Sequence, residues 1–175
     1  NANLLAFATY SFKAYPTLTG DVYPTNDTAY KSVTNAPLIY CVSSANYTGD
    51  EDIKNVTIGS LNNTSPAPHN AMYTDYTATV QAPYLALGQT YPLSVTIVDD
   101  ASPYYDGYIE AYIDFNHDGV YSEPDEVVFG SSYLDAIDTT ITRTVSIPLT
   151  AQIGKTGMRV ICREGFSVTA ATLVP

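Results

Sequence analysis

The sequence predicts an all-β protein, an antiparallel β-sandwich of immunoglobulin-like or jelly-roll-like type, with a barrel as the competing architecture. Three observations predict it. Apolar residues recur at every second position in several short runs, and no long stretch carries a helical period. Turn chemistry separates the runs at short intervals. Finally, Thr (22 residues) and Tyr (16) supply much of the polar surface, while charged residues make up 14% of the chain. Both residue types favour a pleated, half-buried surface.

The elements follow in order. Residues 4–12 form an apolar, strand-like segment, followed by a Pro- and Thr-rich stretch over 15–37. The first forty residues are therefore read as an N-terminal strand segment, 1–39. It either adds an edge strand to the same sandwich or pairs with the open sheet edge of a neighbouring molecule. Residues 40–175 are the sandwich proper. Short strands are predicted at 52–58, 76–81, 126–130 and 166–174. Longer ones are predicted at 91–98, with Leu93, Val95 and Ile97 inward, and at 107–115. In the latter, Ile109, Ala111, Ile113 and Phe115 face a core, while Tyr108, Glu110, Tyr112 and Asp114 face water. Residues 139–147 place Ile141, Val145 and Ile147 on one side with Arg143 as the odd member, and 157–164 offers Met158, Val160 and Cys162. Glycine turns at 87–88, 106–107, 118–119 and 153–154 punctuate the runs.

Length and charge bound the function. At 175 residues the chain holds one domain with a substantial core. A net charge of −11 argues against nucleic acid and anionic membrane as partners. No apolar run reaches the roughly 18 residues a bilayer span needs. The start shows no basic, apolar leader, so any such signal is expected outside this sequence. Low Lys content, abundant Thr and Tyr, and an acidic balance favour an extracellular setting. In that setting Cys41 and Cys162, far apart in sequence, read as one long-range disulfide; the competing reading is two buried thiols. Asn-x-Ser/Thr triplets begin at Asn26, Asn46, Asn55, Asn62 and Asn63 and support exposed loops.

The charges are unevenly placed. No Lys or Arg occurs between Asn55 and Thr142, and 11 of the 18 acids lie from Asp99 to Asp138. So many carboxylates are costly to gather unless they are solvated or a cation sits among them. Residues 114–126 carry the pattern D-x-N-x-D-G-x-x-S-x-x-D-E. Asp114, Asn116 and Asp118 supply oxygens at positions 1, 3 and 5, and Gly119 at position 6 permits a sharp turn. The Val120 carbonyl adds an oxygen at position 7, and Asp125 or Glu126 closes the shell. Hard oxygen donors of this kind suit Ca²⁺ better than zinc or copper. The loop has the chemistry of an EF-hand with a strand in place of its leading helix. His117 points away by parity.

No catalytic signature accompanies it. His69 lies in a Pro-rich loop without a nucleophile, and no G-x-S-x-G, H-E-x-x-H or phosphate-loop motif is present. The chain is read as a non-enzyme. Sugar binding would need an aromatic platform, for which Tyr104, Tyr105 and Tyr108, or Tyr73 and Tyr76, are candidates.

Two stretches together resemble the GEVED family of domains, found in secreted proteins of bacteria that use type IX secretion. One runs from Tyr40-Cys41 through Asp52-Ile53 and Val56-Thr57-Ile58-Gly59 to Tyr73-Thr74-Asp75-Tyr76-Thr77. The other is Ala111-Tyr112-Ile113-Asp114-Phe115-Asn116-His117-Asp118-Gly119 with Glu126-Val127, then Gly157-Met158-Arg159-Val160. The resemblance implies a β-sandwich, export, surface attachment and an accessory, non-catalytic role, with the acidic loop carried over at Asp114, Asn116, Asp118, Gly119 and Glu126. The closing Gly-Glu-Val-Glu-Asp element is replaced here by 166–175, and about forty residues precede the matching region. The expected protein is a secreted, Ca²⁺-stabilised structural or adhesive surface module. The competing expectations are a filament subunit that exchanges its N-terminal strand, and a module that binds a surface glycan.

Overall fold

The computed structural model describes residues 7–17, 19–23, 27–47, 49, 51–68, 71–99, 107–122, 124–133 and 138–164. The chain divides into two compact units, Asn1–Ile39 and Tyr40–Pro175. Among the described residues there is no helix, and no helix is long and apolar enough to cross a membrane.

The first unit holds β1 (Ala8–Ala14) and β2 (Ala29–Asn35), paired antiparallel over seven positions from Ala8↔Asn35 to Ala14↔Ala29. Where the sequence predicted one strand, β1 and β2 form a two-stranded sheet. The predicted strand at 4–12 begins partly outside the described residues.

The second unit is the sandwich. One sheet has the order β4-β3-β5-β8, built from β3 (Glu51–Ile58), β4 (Leu61–Thr64), β5 (Thr90–Asp99) and β8 (Thr139–Ser146). The other has the order β7-β6-β9, built from β6 (Gly107–Ile113), β7 (Val127–Tyr133) and β9 (Met158–Glu164). All described pairings are antiparallel. Val56, Ile58, Leu93, Val95, Ile97 and Val145 from the first sheet meet Ile109, Ala111, Ile113 and Phe129 from the second in one apolar cluster. Alternation carries these residues to the same side of each sheet, and their burial is the main stabilising contribution.

Several details refine the sequence reading. Leu93, Val95 and Ile97 lie in the core as predicted. Arg143, the odd member on β8, reaches across to the second sheet, where its Nη2 donates to Ser131 Oγ at 2.8 Å. Its long stem crosses the open rim of the core while the charge stays wet. The predicted strand at 76–81 is instead a turn. The Thr77 amide donates to the Asp75 carboxylate at 2.8 Å, and the Thr79 and Val80 amides both donate to the Tyr76 carbonyl. Once those amides turn inward, they are lost to a sheet ladder. β4 was not foreseen; it follows a two-residue turn at Gly59-Ser60, where Gly59 has φ 58°. The predicted strand at 166–174 lies outside the described residues.

The expected alternation of β6 fails on one face. Glu110 and Tyr112 are 1% and 0% exposed, so the outer face of this strand is dry at these two positions as well. β6 is the central strand of its sheet, and a chain segment beginning at Tyr40 covers it from outside. Tyr40 stacks on Tyr121 with ring centroids 5.0 Å apart, and Tyr121 leans on Tyr112 at 5.8 Å. The Tyr112 hydroxyl donates to Glu110 Oε2 at 2.8 Å.

Candidate functional site

The acidic loop joins β6 to β7 and leaves the sheet at Asp114. Its path is set by hydrogen bonds from its own amides. The Ile113 amide donates to the Glu126 carbonyl at 3.0 Å, which brings the two ends of the loop together. Gly119 has φ 82° and His117 φ 56°, so the chain reverses twice within three residues. Glycine reaches that conformation freely, whereas at His117 the Cβ crowds the following carbonyl oxygen.

Asp114 is fully buried, and its partners are all neutral. Its Oδ2 accepts from the Gly119 amide at 3.0 Å and from the Tyr40 hydroxyl at 2.9 Å. Its Oδ1 lies 3.3 Å from the Asp118 amide, which also donates to Asn116 Oδ1 at 2.9 Å. One N–H thus draws the first two predicted ligand oxygens together. Asp118 continues the pattern: its Oδ1 accepts from Val120 N–H, and its Oδ2 accepts from Asn116 Nδ2. Asn116, Asp118 and Val120 are themselves exposed.

The two candidates for closing the loop are sharply different. Glu126 is 2% exposed and its carboxylate turns inward. Oε1 accepts from the amides of Phe115 (2.9 Å) and Asn116 (3.3 Å), and Oε2 accepts from the amide of Ser122 (2.8 Å). Asp125 is exposed. Adjacent residues near the start of a strand point to opposite sides, so only one of the two can face the loop.

A hard-cation site is tested by this donor set. Every donor is an oxygen, and the arm Asp114–Asn116–Asp118 is assembled around one amide, which fits such an ion. The Glu126 oxygens accept three amides in this structure, and a carboxylate offers about four lone-pair sites in all. Among the described residues no three His, Cys, Asp or Glu side chains gather as a cation cluster. Neither Asp114 nor Glu126 is joined to a basic side chain there; the ion pair described is Lys54 with Asp138, 2.6 Å apart and half exposed.

Behind the loop lies a second layer that sequence reasoning missed. The Tyr40 hydroxyl accepts from the Gly157 amide at 2.8 Å while donating to Asp114. Gly157 must be bare, since a Cβ there would fall 2.5 Å from Tyr40 Cζ and 2.7 Å from the Tyr121 hydroxyl oxygen. Arg159, 8% exposed, lies over the Tyr121 ring at 4.9 Å, and its Nη2 donates to the Cys41 carbonyl at 2.6 Å. Burial, ahead of any other cause, pushes the Tyr40 and Tyr121 hydroxyls above their ordinary acidity range. The sequence signals for this layer were Tyr40-Cys41 and Gly157-Met158-Arg159, quoted for the resemblance, and neither carries a chemical motif.

The expected Cys41–Cys162 disulfide is corrected by the same geometry. No disulfide joins the two residues; Cys41 is exposed and Cys162 half-buried. On β9, Met158, Val160 and Cys162 share the face packed against the core, whereas Arg159 lies on the other. Cys41, tied to Arg159, is therefore on the outside of the sheet and Cys162 on the inside.

The aromatic platform proposed from sequence is only partly placed. Tyr104 and Tyr105 lie outside the described residues, as does His69. Tyr108 is half-buried, with its hydroxyl laid over β7 where a Cβ on Gly130 would be 2.7 Å away. His117 rests against Gly154, and its Nε2 is buried without a hydrogen-bond partner.

Fold and loop together define a class: an all-β sandwich module whose distinguishing device is an acidic strand-to-strand loop. More particularly, residues 108–173 match the family model of the GEVED domain. The match takes in β6, the acidic loop and β7 to β9, and it bears out the second of the two stretches on which the resemblance rested. No curated protein and no solved structure matches the chain.

Proposed function

We propose that this is a secreted, non-catalytic surface module whose acidic loop takes up Ca²⁺ as a structural ion. The observation that carries the reading is the burial of two carboxylates, Asp114 and Glu126, at the two ends of one loop, with neutral hydrogen-bond donors to them among the described residues. Buried carboxylates repel one another unless a positive charge offsets them. Asp114, Asn116, Asp118 and the Val120 carbonyl form the ligand arm. Glu126, rather than exposed Asp125, supplies the closing carboxylate. When bound, the ion neutralises these oxygens and pins β6 to β7; everything else is done by the chain's own amides. A module so pinned serves a structural or adhesive role at the cell surface, in keeping with the low charge content and the GEVED match.

Thermal unfolding of the full chain in chelator and in calcium tests the ion. An ion held at a hundredfold excess over its Kd raises stability by about 2.7 kcal/mol. Superimposable curves would remove the calcium claim.

A second reading is favoured by one observation: the first unit is a two-stranded hairpin carrying exposed Phe7, Tyr15, Tyr23 and Tyr30. Hairpins of this size are marginal alone and are stabilised by a partner. We propose that this unit mediates self-association of the chain into an oligomer or filament. Because β1 is already paired along its length, the hairpin engages as a unit and does not donate β1 alone. Sedimentation of a variant lacking residues 1–39 tests this; unchanged assembly state would end it.

A further inference from the structure

We infer that Tyr40 is a positioning residue for the acidic loop, its hydroxyl coupling the order of that loop to the docking of the segment that leads into the sandwich. The inference rests on the proposed reading of the loop as a cation site, but its own geometry is independent of any ion. Tyr40 is 74 residues from Asp114 in sequence, yet its hydroxyl donates to Asp114 Oδ2 at 2.9 Å. The Tyr40 hydroxyl oxygen in turn accepts from the Gly157 amide at 2.8 Å, and the Asp114 amide donates to the Gly157 carbonyl at 3.2 Å. Thr156 completes the knot, its Oγ1 donating to the Asp114 carbonyl and lying 3.4 Å from the Tyr40 hydroxyl.

Three chain segments therefore meet at one phenol: the lead-in at Tyr40, the loop at Asp114 and the start of β9 at Gly157. The hydroxyl fixes the Asp114 carboxylate through Oδ2 and leaves Oδ1 turned toward the Asn116–Asp118 arm. A partner that orients a ligand in this way ordinarily changes metal affinity by about 10–100-fold. The coupling is reciprocal, as linkage requires: ordering the loop holds Tyr40 in place, and withdrawing Tyr40 releases Asp114. The ring has a separate role, stacked on Tyr121, so removing the oxygen alone isolates the coupling.

The test is Tyr40→Phe in the full chain, with Tyr76→Phe as control, since the Tyr76 hydroxyl bonds Ser65 away from the loop. Amide exchange at Asp118 and Gly119 is measured in chelator with the β5 amides as reference, and CaCl₂ is titrated calorimetrically. The expected result is exchange about tenfold faster at Asp118 and Gly119 than the change in β5 accounts for, with Ca²⁺ bound about tenfold more weakly. Accelerated loop exchange in a protein that gives no calcium heat in either form would uphold Tyr40 and overturn the cation reading. If exchange at Asp118 and Gly119 moves only in step with β5, the role assigned to Tyr40 is wrong, whether or not calcium binds.

Discussion

From Ile109 to Ile113 the two faces of β6 are both dry, and they are kept dry by different physics. On the inner face the side chains of Ile109, Ala111 and Ile113 interlock with residues of the opposite sheet through apolar contact alone. On the outer face Glu110 accepts from the Tyr112 hydroxyl, and Tyr112 and Asp114 lie beneath a lead-in segment held by the Tyr40 hydroxyl, a stacked ring pair and one guanidinium. An apolar face tolerates small shifts of its members. A polar one must satisfy every donor and acceptor or lose several kcal/mol at once. The loop with the candidate ligands grows from the strand where the two regimes meet.

The sharpest contrast is expected from truncation. Ile109→Ala removes buried methylenes from a site with no room to collapse and should cost about 2–5 kcal/mol in denaturant unfolding. Gly157→Ala attacks the outer face with the smallest addition, a methyl forced against Tyr40 and Tyr121. A loss of about 1–3 kcal/mol is expected, with a diminished near-ultraviolet signal from the stacked tyrosines. A full near-ultraviolet signal in that variant would mean that the covering segment is not held as described.

Smaller effects sharpen the picture at the loop itself. Glu126→Gln keeps the shape but replaces an acceptor of three amides with a group that has one oxygen to offer. About 1–2 kcal/mol should be lost. Asp125→Asn, on the exposed neighbour, should stay within about 0.5 kcal/mol. Equal losses would place the closing role on both residues. The smallest effect is silent at neutral pH. Tyr40 and Tyr121 have folded-state values above the unfolded one, so the native state keeps its protons longer as pH rises. Stability is then intact below about pH 10 and falls above it, and Tyr121→Phe should flatten that alkaline decline.

Much of this was legible in the chain. β3, β5, β6, β8 and β9 were found because strict alternation needs only a dozen residues to declare itself, and Leu93, Val95 and Ile97 sit where it put them. β4 was missed because Leu-Asn-Asn-Thr offers no alternation to read. Parity also sorted β6 correctly into two groups of residues. What it could not say was whether the second group met water, since the cover arrives from Tyr40, seventy-four positions before Asp114. The choice between Asp125 and Glu126 was hidden for a related reason: they are neighbours, and only the register of β7 against β6 decides which turns inward. The two cysteines misled because distance along the chain says nothing about which side of a sheet each sulfur occupies.

The outer face of the other sheet carries a consequence of a different kind. Across four strands, the rows Thr64–Asn55–Thr96–Thr140 and Asn62–Thr57–Ser94–Thr142 contain no ionisable group. Their hydroxyls and amides bond one another sideways, as between Ser94 and Thr142 at 2.7 Å and Thr96 and Thr140 at 2.8 Å. A surface tiled in this way has nothing for dissolved ions to screen and nothing for acid to titrate. In brine or fresh water it presents the same hydrated lattice, a constant flank on a molecule whose 18 acidic residues outnumber its 7 basic ones.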